Sequence, residues 1–157
     1  MRKDQNSRQR LTRRGLIQTG IAAAAGLACA ELVAAGQEGG TPTILRADKI
    51  ETQKFPWGYI QWLMNGRIDP KAEMTLGIVH VEPNQANPIH IHPNSAEYLH
   101  MLSGACEQLI GGRWVALEAG DTVRFPKGVP HGARTKDQPF RAVIVYDTPT
   151  RQMVPVK

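Results

Sequence analysis

His90-Ile91-His92-Pro93-Asn94-Ser95-Ala96-Glu97 is the stretch on which the reading of this chain turns, and His131 completes it about forty residues later. Side chains alternate faces along an extended strand, so two histidines one residue apart project together. A Pro-Asn-Ser turn then reverses the chain, and Glu97 opens the run Tyr98-Leu99-His100-Met101-Leu102, which again reads as strand. The turn brings a carboxylate back beside the imidazoles. Three imidazoles and one carboxylate on a rigid sheet form a ligand set for one divalent transition ion (Fe, Mn, Co, Ni, Cu or Zn) with coordination positions left open. His100 falls out of phase with Glu97, so an inward Glu97 predicts an outward His100. His80 and His100 otherwise read as ordinary strand residues.

Outward from this stretch, every signal after residue 56 is a short strand bounded by Gly, Pro, Asn or Asp. Trp57 to Met64 reads as an aromatic-rich strand ending at Asn65-Gly66. Ala72 to Val81 resumes as strand, with Met74, Leu76, Ile78 and His80 on one face and Thr75, Gly77, Val79 and Val81 on the other. Gly111-Gly112 separates Cys106-Glu107-Gln108-Leu109-Ile110 from Arg113-Trp114-Val115-Ala116-Leu117, a hairpin in which both turn residues tolerate positive φ. Thr122 to Phe125 and Phe140 to Tyr146 are the last strands. Close-set strands without helical periodicity predict an all-β fold, a small antiparallel barrel or sandwich.

These residues resemble the cupins. The first motif of that family is matched by His90-x-His92, four residues, Glu97, six residues, Gly104. The second is matched by Gly120, five residues, Pro126-x-Gly128, two residues, His131. Asn84 stands where the first motif usually opens with glycine, and Thr135 where the second usually closes with asparagine; neither is a ligand position. The resemblance spans residues 77 to 146. It implies an antiparallel β-barrel of the double-stranded β-helix or jelly-roll type, with His90, His92, Glu97 and His131 as metal ligands. Gly104, Gly120, Gly128 and Pro126 then shape the sheet and need no catalytic role.

The chain has 157 residues, enough for one domain and little more. Its formal charge of +5 suggests nucleic acid until the charges are located. Arg2, Lys3, Arg8, Arg10, Arg13 and Arg14 stand against Asp4 alone in residues 1–30, so that segment carries the whole excess, and the remainder balances 13 basic against 13 acidic side chains. A neutral body has no built-in attraction for phosphate backbones, so no nucleic-acid partner is expected.

The basic segment is followed by an Ala-, Leu-, Ile- and Gly-dominated run from Leu16 to Ala35, the pattern of a secretion signal. Thr12-Arg13-Arg14-Gly15-Leu16-Ile17-Gln18 resembles the twin-arginine signature. The expected organisation is a cleaved helical signal peptide at 1–35, a flexible Gly-rich linker at 36–43, and a barrel domain at 44–157. Export machinery is then a partner, and the mature protein is periplasmic or secreted. The alternative is an anchor left uncleaved, for which Glu31 and the alanines make a weak membrane span. Cleavage after Ala30 or Ala35 removes Cys29 and leaves Cys106 alone, a residue read as buried strand and not as a nucleophile.

By the same resemblance, the leading expectation is an exported metal-dependent enzyme, an oxygenase or decarboxylase acting on a small organic substrate, with Glu97 able to serve as base if its bond to the metal is labile. The alternatives are a non-catalytic metal- or small-ligand-binding barrel, and an isomerase or lyase that uses the ion only as a Lewis acid. A twofold homodimer is also expected, with Trp57, Trp62 and Leu63 as contact area; the competing arrangement folds the segment Ile44 to Met64 back over its own barrel.

Overall fold

The computed structural model describes residues 41–156 of the chain. The signal expected at 1–35 and most of the linker at 36–43 lie outside the described residues; residues 41–43 are exposed and have no regular structure. A 3-10 turn, Ala47–Lys49, leads into ten strands: β1 Glu51–Phe55, β2 Gly58–Met64, β3 Thr75–Val81, β4 His90–Ile91, β5 Glu97–Ile110, β6 Arg113–Glu118, β7 Thr122–Phe125, β8 Ala133–Arg134, β9 Phe140–Tyr146 and β10 Val154–Pro155.

The period-2 pattern sets which face is buried. In β3, Thr75, Gly77, Val79 and Val81 are buried while Leu76, Ile78 and His80 are half-buried, as the alternation requires. The strand begins at Thr75 and not at Ala72, because Ala72 to Met74 continue the bend that follows β2. β9 pairs antiparallel with β3 from Thr75↔Tyr146 to Val81↔Phe140, so Phe140, Ala142, Ile144 and Tyr146 face the same interior as Val79 and Val81. Leu99, Met101 and Phe125 complete this core.

Strand order in the main sheet is β1-β2-β3-β9-β5-β6, with β7 and β8 also pairing to β5. β5 is the element that curls the sheet. Its first half pairs with β9 and β7, and its second half with β6 and β8. The bend between the halves falls at a register shift between Met101 and Ser103, followed by Gly104 at φ +77°. A side chain at Gly104 would put Cβ 2.0 Å from the Pro139 carbonyl oxygen, so the close approach of the two chains there requires glycine. The β5–β6 hairpin turns at Gly111 and Gly112, at φ +58° and +79°, the primed turn the sequence predicts.

Both departures at the motif edges have a physical account. Asn84 is the one non-glycine at positive φ among the described residues, at 57°, a conformation asparagine tolerates better than most side chains. Thr135 holds that loop: its hydroxyl donates to the Glu82 carbonyl at 2.6 Å and accepts from the Gln85 amide at 3.0 Å.

One expectation, Trp62 as contact area for a partner, is corrected here. The segment before Pro56 contains a strand, β1, which pairs with β2 from Glu51↔Trp62 to Phe55↔Gly58. Trp62 is not surface for a partner: it is only 8% exposed within this chain's own core, and its indole N–H donates to Gln53 Oε1 at 3.0 Å. β1 and β2 thus lie back along the barrel, with Ile60 and Trp62 sharing the inward face of β2 and packed into the core.

Candidate metal centre

His90, His92, Glu97 and His131 come together, all four buried, with one ligand atom from each lying within 4.8 Å of every other. Local structure accounts for this. His90 and His92 flank Ile91 on one face of the β4 segment. His131 is bonded to His90 in an antiparallel bridge, with reciprocal N–H···O distances of 2.9 and 3.0 Å, so their side chains are neighbours. Glu97 enters from the first residue of β5, held by β7 through Glu97↔Phe125 and by β9 through Glu97↔Tyr146. Phe125 in turn stacks on the His131 ring at 4.3 Å.

The hydrogen bonds behind the imidazoles decide what the centre can hold. Each ring presents Nδ1 to a main-chain carbonyl: His90 to Pro88 at 2.7 Å, His92 to Gln152 at 2.5 Å, His131 to Val129 at 2.8 Å. A carbonyl only accepts, so Nδ1 carries the hydrogen in all three and the Nε2 lone pairs point inward. Glu97 Oε2 lies 3.0 Å from His92 Nε2 and 3.1 Å from His131 Nε2. Neutral imidazoles would set lone pair against lone pair at these contacts, and only a proton or a cation between them makes the arrangement favourable.

The titration behaviour agrees. Burial pushes His90 down to about 4, so it is neutral at pH 7. Burial also opposes the charge on Glu97, but with a proton on the facing Nε2 atoms the hydrogen bonds from His131 and His92 outweigh it and hold the carboxyl well below the usual range. For His131, burial acts downward and the adjacent Glu97 more strongly upward, so its ring sits above the ordinary histidine value. The centre therefore draws positive charge to itself. The Glu97–imidazole separations of 3.0 and 3.1 Å are short enough for one ion at about 2.1 Å from each atom to bridge them. The four residues suit one divalent transition ion.

His100 faces the other way, as its phase predicts, and is exposed with Nδ1 2.8 Å from the Thr122 hydroxyl. Cys106 is buried, and burial lifts its thiol to about 11, which agrees with a structural role.

Beside the metal centre lies a cavity of about 130 Å³ that His90 and Glu97 help to line. Its walls are largely apolar, with Phe55, Trp57, Leu99, Phe140 and Ile144 among them. Tyr146, Gln108 and Arg151 bring polar atoms to it. Sequence reasoning did not find these polar residues. Tyr146 and Gln108 alternate correctly with their strands and were readable as inward positions, whereas Arg151 sits in the segment after β9, where no periodicity points to it.

Residues 77–146 match the family model for the cupin domain. The fold is a cupin barrel. An oxalate decarboxylase from Lactobacillus farciminis superposes with a TM-score of 0.66 at 19% identity, covering 76% of this chain and 38% of that one. The oxalate decarboxylase OxdC of Bacillus subtilis gives 0.64 at 21%, covering 77% and 34%, and a further structure of that enzyme concerns its Mn(II) centres. The polyketide cyclase RemF from Streptomyces resistomycificus gives 0.62 at 20%, covering 74% of this chain and 87% of that one. This chain spans little more than a third of the decarboxylases it matches. At such identities the likeness carries the cupin fold alone. No curated protein matches the sequence.

Proposed function

We propose that this protein is an exported, metal-dependent cupin enzyme of the oxygenase or decarboxylase type, acting on a small organic substrate. The observation that carries the reading is the buried group of three imidazoles and one carboxylate, of which His90 and Glu97 also line a largely apolar cavity. His90, His92, Glu97 and His131 would hold the ion. When bound, a redox-active ion with positions left open polarises a coordinated oxygen and can exchange electrons with it.

The rest is done by the chain's own residues. The carbonyls of Pro88, Gln152 and Val129 fix the ring orientations. The apolar walls lower the local dielectric, which strengthens charge interactions within. Glu97 Oε2 stands 3.0 and 3.1 Å from the His92 and His131 Nε2 atoms as one of the four grouped donors, so its role is read as ligand in preference to base.

The test is oxygen uptake and carbon dioxide release by Fe-, Mn- and Zn-loaded protein against phenolic, dicarbonyl and carboxylic compounds. Turnover with Fe or Mn and none with Zn is expected; equal turnover with Zn would favour the isomerase or lyase reading, and none with any metal the binding barrel.

Export rests on Arg13-Arg14 and the apolar run after them. Changing both arginines to lysine is expected to hold precursor in the cytoplasm, and an unchanged periplasmic yield would exclude this route. The twofold dimer is proposed on the exposed edge that β1 presents, since an unpaired edge strand is commonly covered. Light scattering that gives the mass of one chain would refute it.

A further inference from the structure

Arg151 lines the cavity beside the metal centre and also an adjacent, more open cleft that it shares with Trp62, Asn65 and Arg67. Its guanidinium carbon lies 4.8 Å from the Trp62 ring centroid and 5.2 Å from that of Tyr146, so two rings hold the head group in place. Its Nε is buried and has no hydrogen-bond partner among the described residues. No carboxylate among them forms an ion pair with it. Glu97, the acidic residue that lines the cavity, is committed to His92 and His131. A buried donor on a charged group without an acceptor is costly, and a ligand that supplies an acceptor removes that cost.

The surroundings narrow the ligand. A planar guanidinium fork matches a carboxylate with two parallel hydrogen bonds. Phe55, Leu99, Phe140 and Ile144 offer the rest of the molecule only apolar contact. The volume, about 130 Å³, is close to that of an engineered cavity of about 150 Å³ that takes benzene. One fixed cation, with few other polar side chains and walls that are largely apolar, favours a compact monoanion over a phosphate or a sugar.

We propose that Arg151 recognises the carboxylate of the substrate, and that the substrate is a small monocarboxylate with an apolar body of about the size of a benzene ring. The proposal rests on reading the cavity as the substrate site. It makes Arg151 the residue that orients the acid relative to the metal centre.

Benzoate and its uncharged counterpart benzyl alcohol are titrated into the full chain, metal-loaded and chelator-treated. Binding is followed by calorimetry and by tryptophan fluorescence, since Trp57 lines the cavity and Trp62 touches Arg151. Benzoate is expected to bind about tenfold or more tighter than benzyl alcohol, from the charge-assisted pair alone. Arg151→Gln is expected to weaken benzoate by about tenfold to a hundredfold and leave benzyl alcohol nearly unchanged, with Arg151→Lys in between. Metal content measured on the same samples separates the two readings: wild-type protein without metal sinks the metal centre, while benzoate preference in chelator-treated protein still supports Arg151. Wild type that binds neither compound, or binds both equally, overturns the proposal. So does an Arg151→Gln protein that keeps the benzoate affinity.

Discussion

Replacing His92 and His131 together by alanine is expected to abolish stoichiometric metal binding, measured by elemental analysis of protein purified without chelator. Two of four ligands go, and the remaining His90 and Glu97 no longer form a closed set. Stability should follow the metal. Free ion at about a thousand times its Kd stabilises the native state by about 4 kcal/mol. For a domain of this size each kcal/mol moves Tm by about 4 °C, so chelator should lower the wild-type Tm by about 15 °C and leave the double variant unmoved. His100→Ala is the control. That ring is exposed on the opposite face of β5, and its loss should leave metal content at the wild-type level. Stoichiometric metal in the His92→Ala, His131→Ala protein would sink the ligand assignment.

The ligands were legible because strand periodicity and turn chemistry act locally. His90 and His92 share a face by period 2, and the same rule turned His100 outward. The Gly111-Gly112 turn and the two faces of β3 follow from the same local rules. β1 was not legible because four of its five residues are exposed, so Glu51-Thr52-Gln53-Lys54 shows no apolar alternation and is strand only through its pairing with β2. From sequence, Trp62 reads as contact area as readily as core, because an aromatic in an amphipathic strand buries equally well against a partner or its own core. The choice depends on where β1 and β2 lie, which periodicity does not encode. The segment after Tyr146 was silent for a related reason: its ordering contacts are main-chain hydrogen bonds to residues more than fifty positions away, and main-chain groups carry no sequence signal.

That segment carries the other large effect. Residues 149–156 run beside the metal motif and are fastened to it at several points. Asn94 donates from Nδ2 to the Thr150 carbonyl at 2.8 Å and accepts at Oδ1 from the Gln152 amide at 2.9 Å. β10 pairs with β4 through Val154↔Ile91 and Pro155↔His90, and the Val156 amide donates to the Ile89 carbonyl at 2.9 Å. These bonds place the Gln152 carbonyl 2.5 Å from His92 Nδ1. That carbonyl sets the tautomer of His92, and loss of such a partner typically costs tenfold to a hundredfold in metal affinity. Deleting residues 150–157 is therefore expected to weaken metal binding by about that factor, measured by competition against a colorimetric chelator. Asn94→Ala, which loosens the strap without removing the carbonyl, should fall between the deletion and wild type. A deleted protein that folds, as shown by its near-UV circular dichroism, and holds metal with wild-type affinity would mean that His92 needs no acceptor behind it. The inward direction of its Nε2 would then rest on ring packing against Tyr146, whose centroid lies 4.8 Å away, and not on the strap.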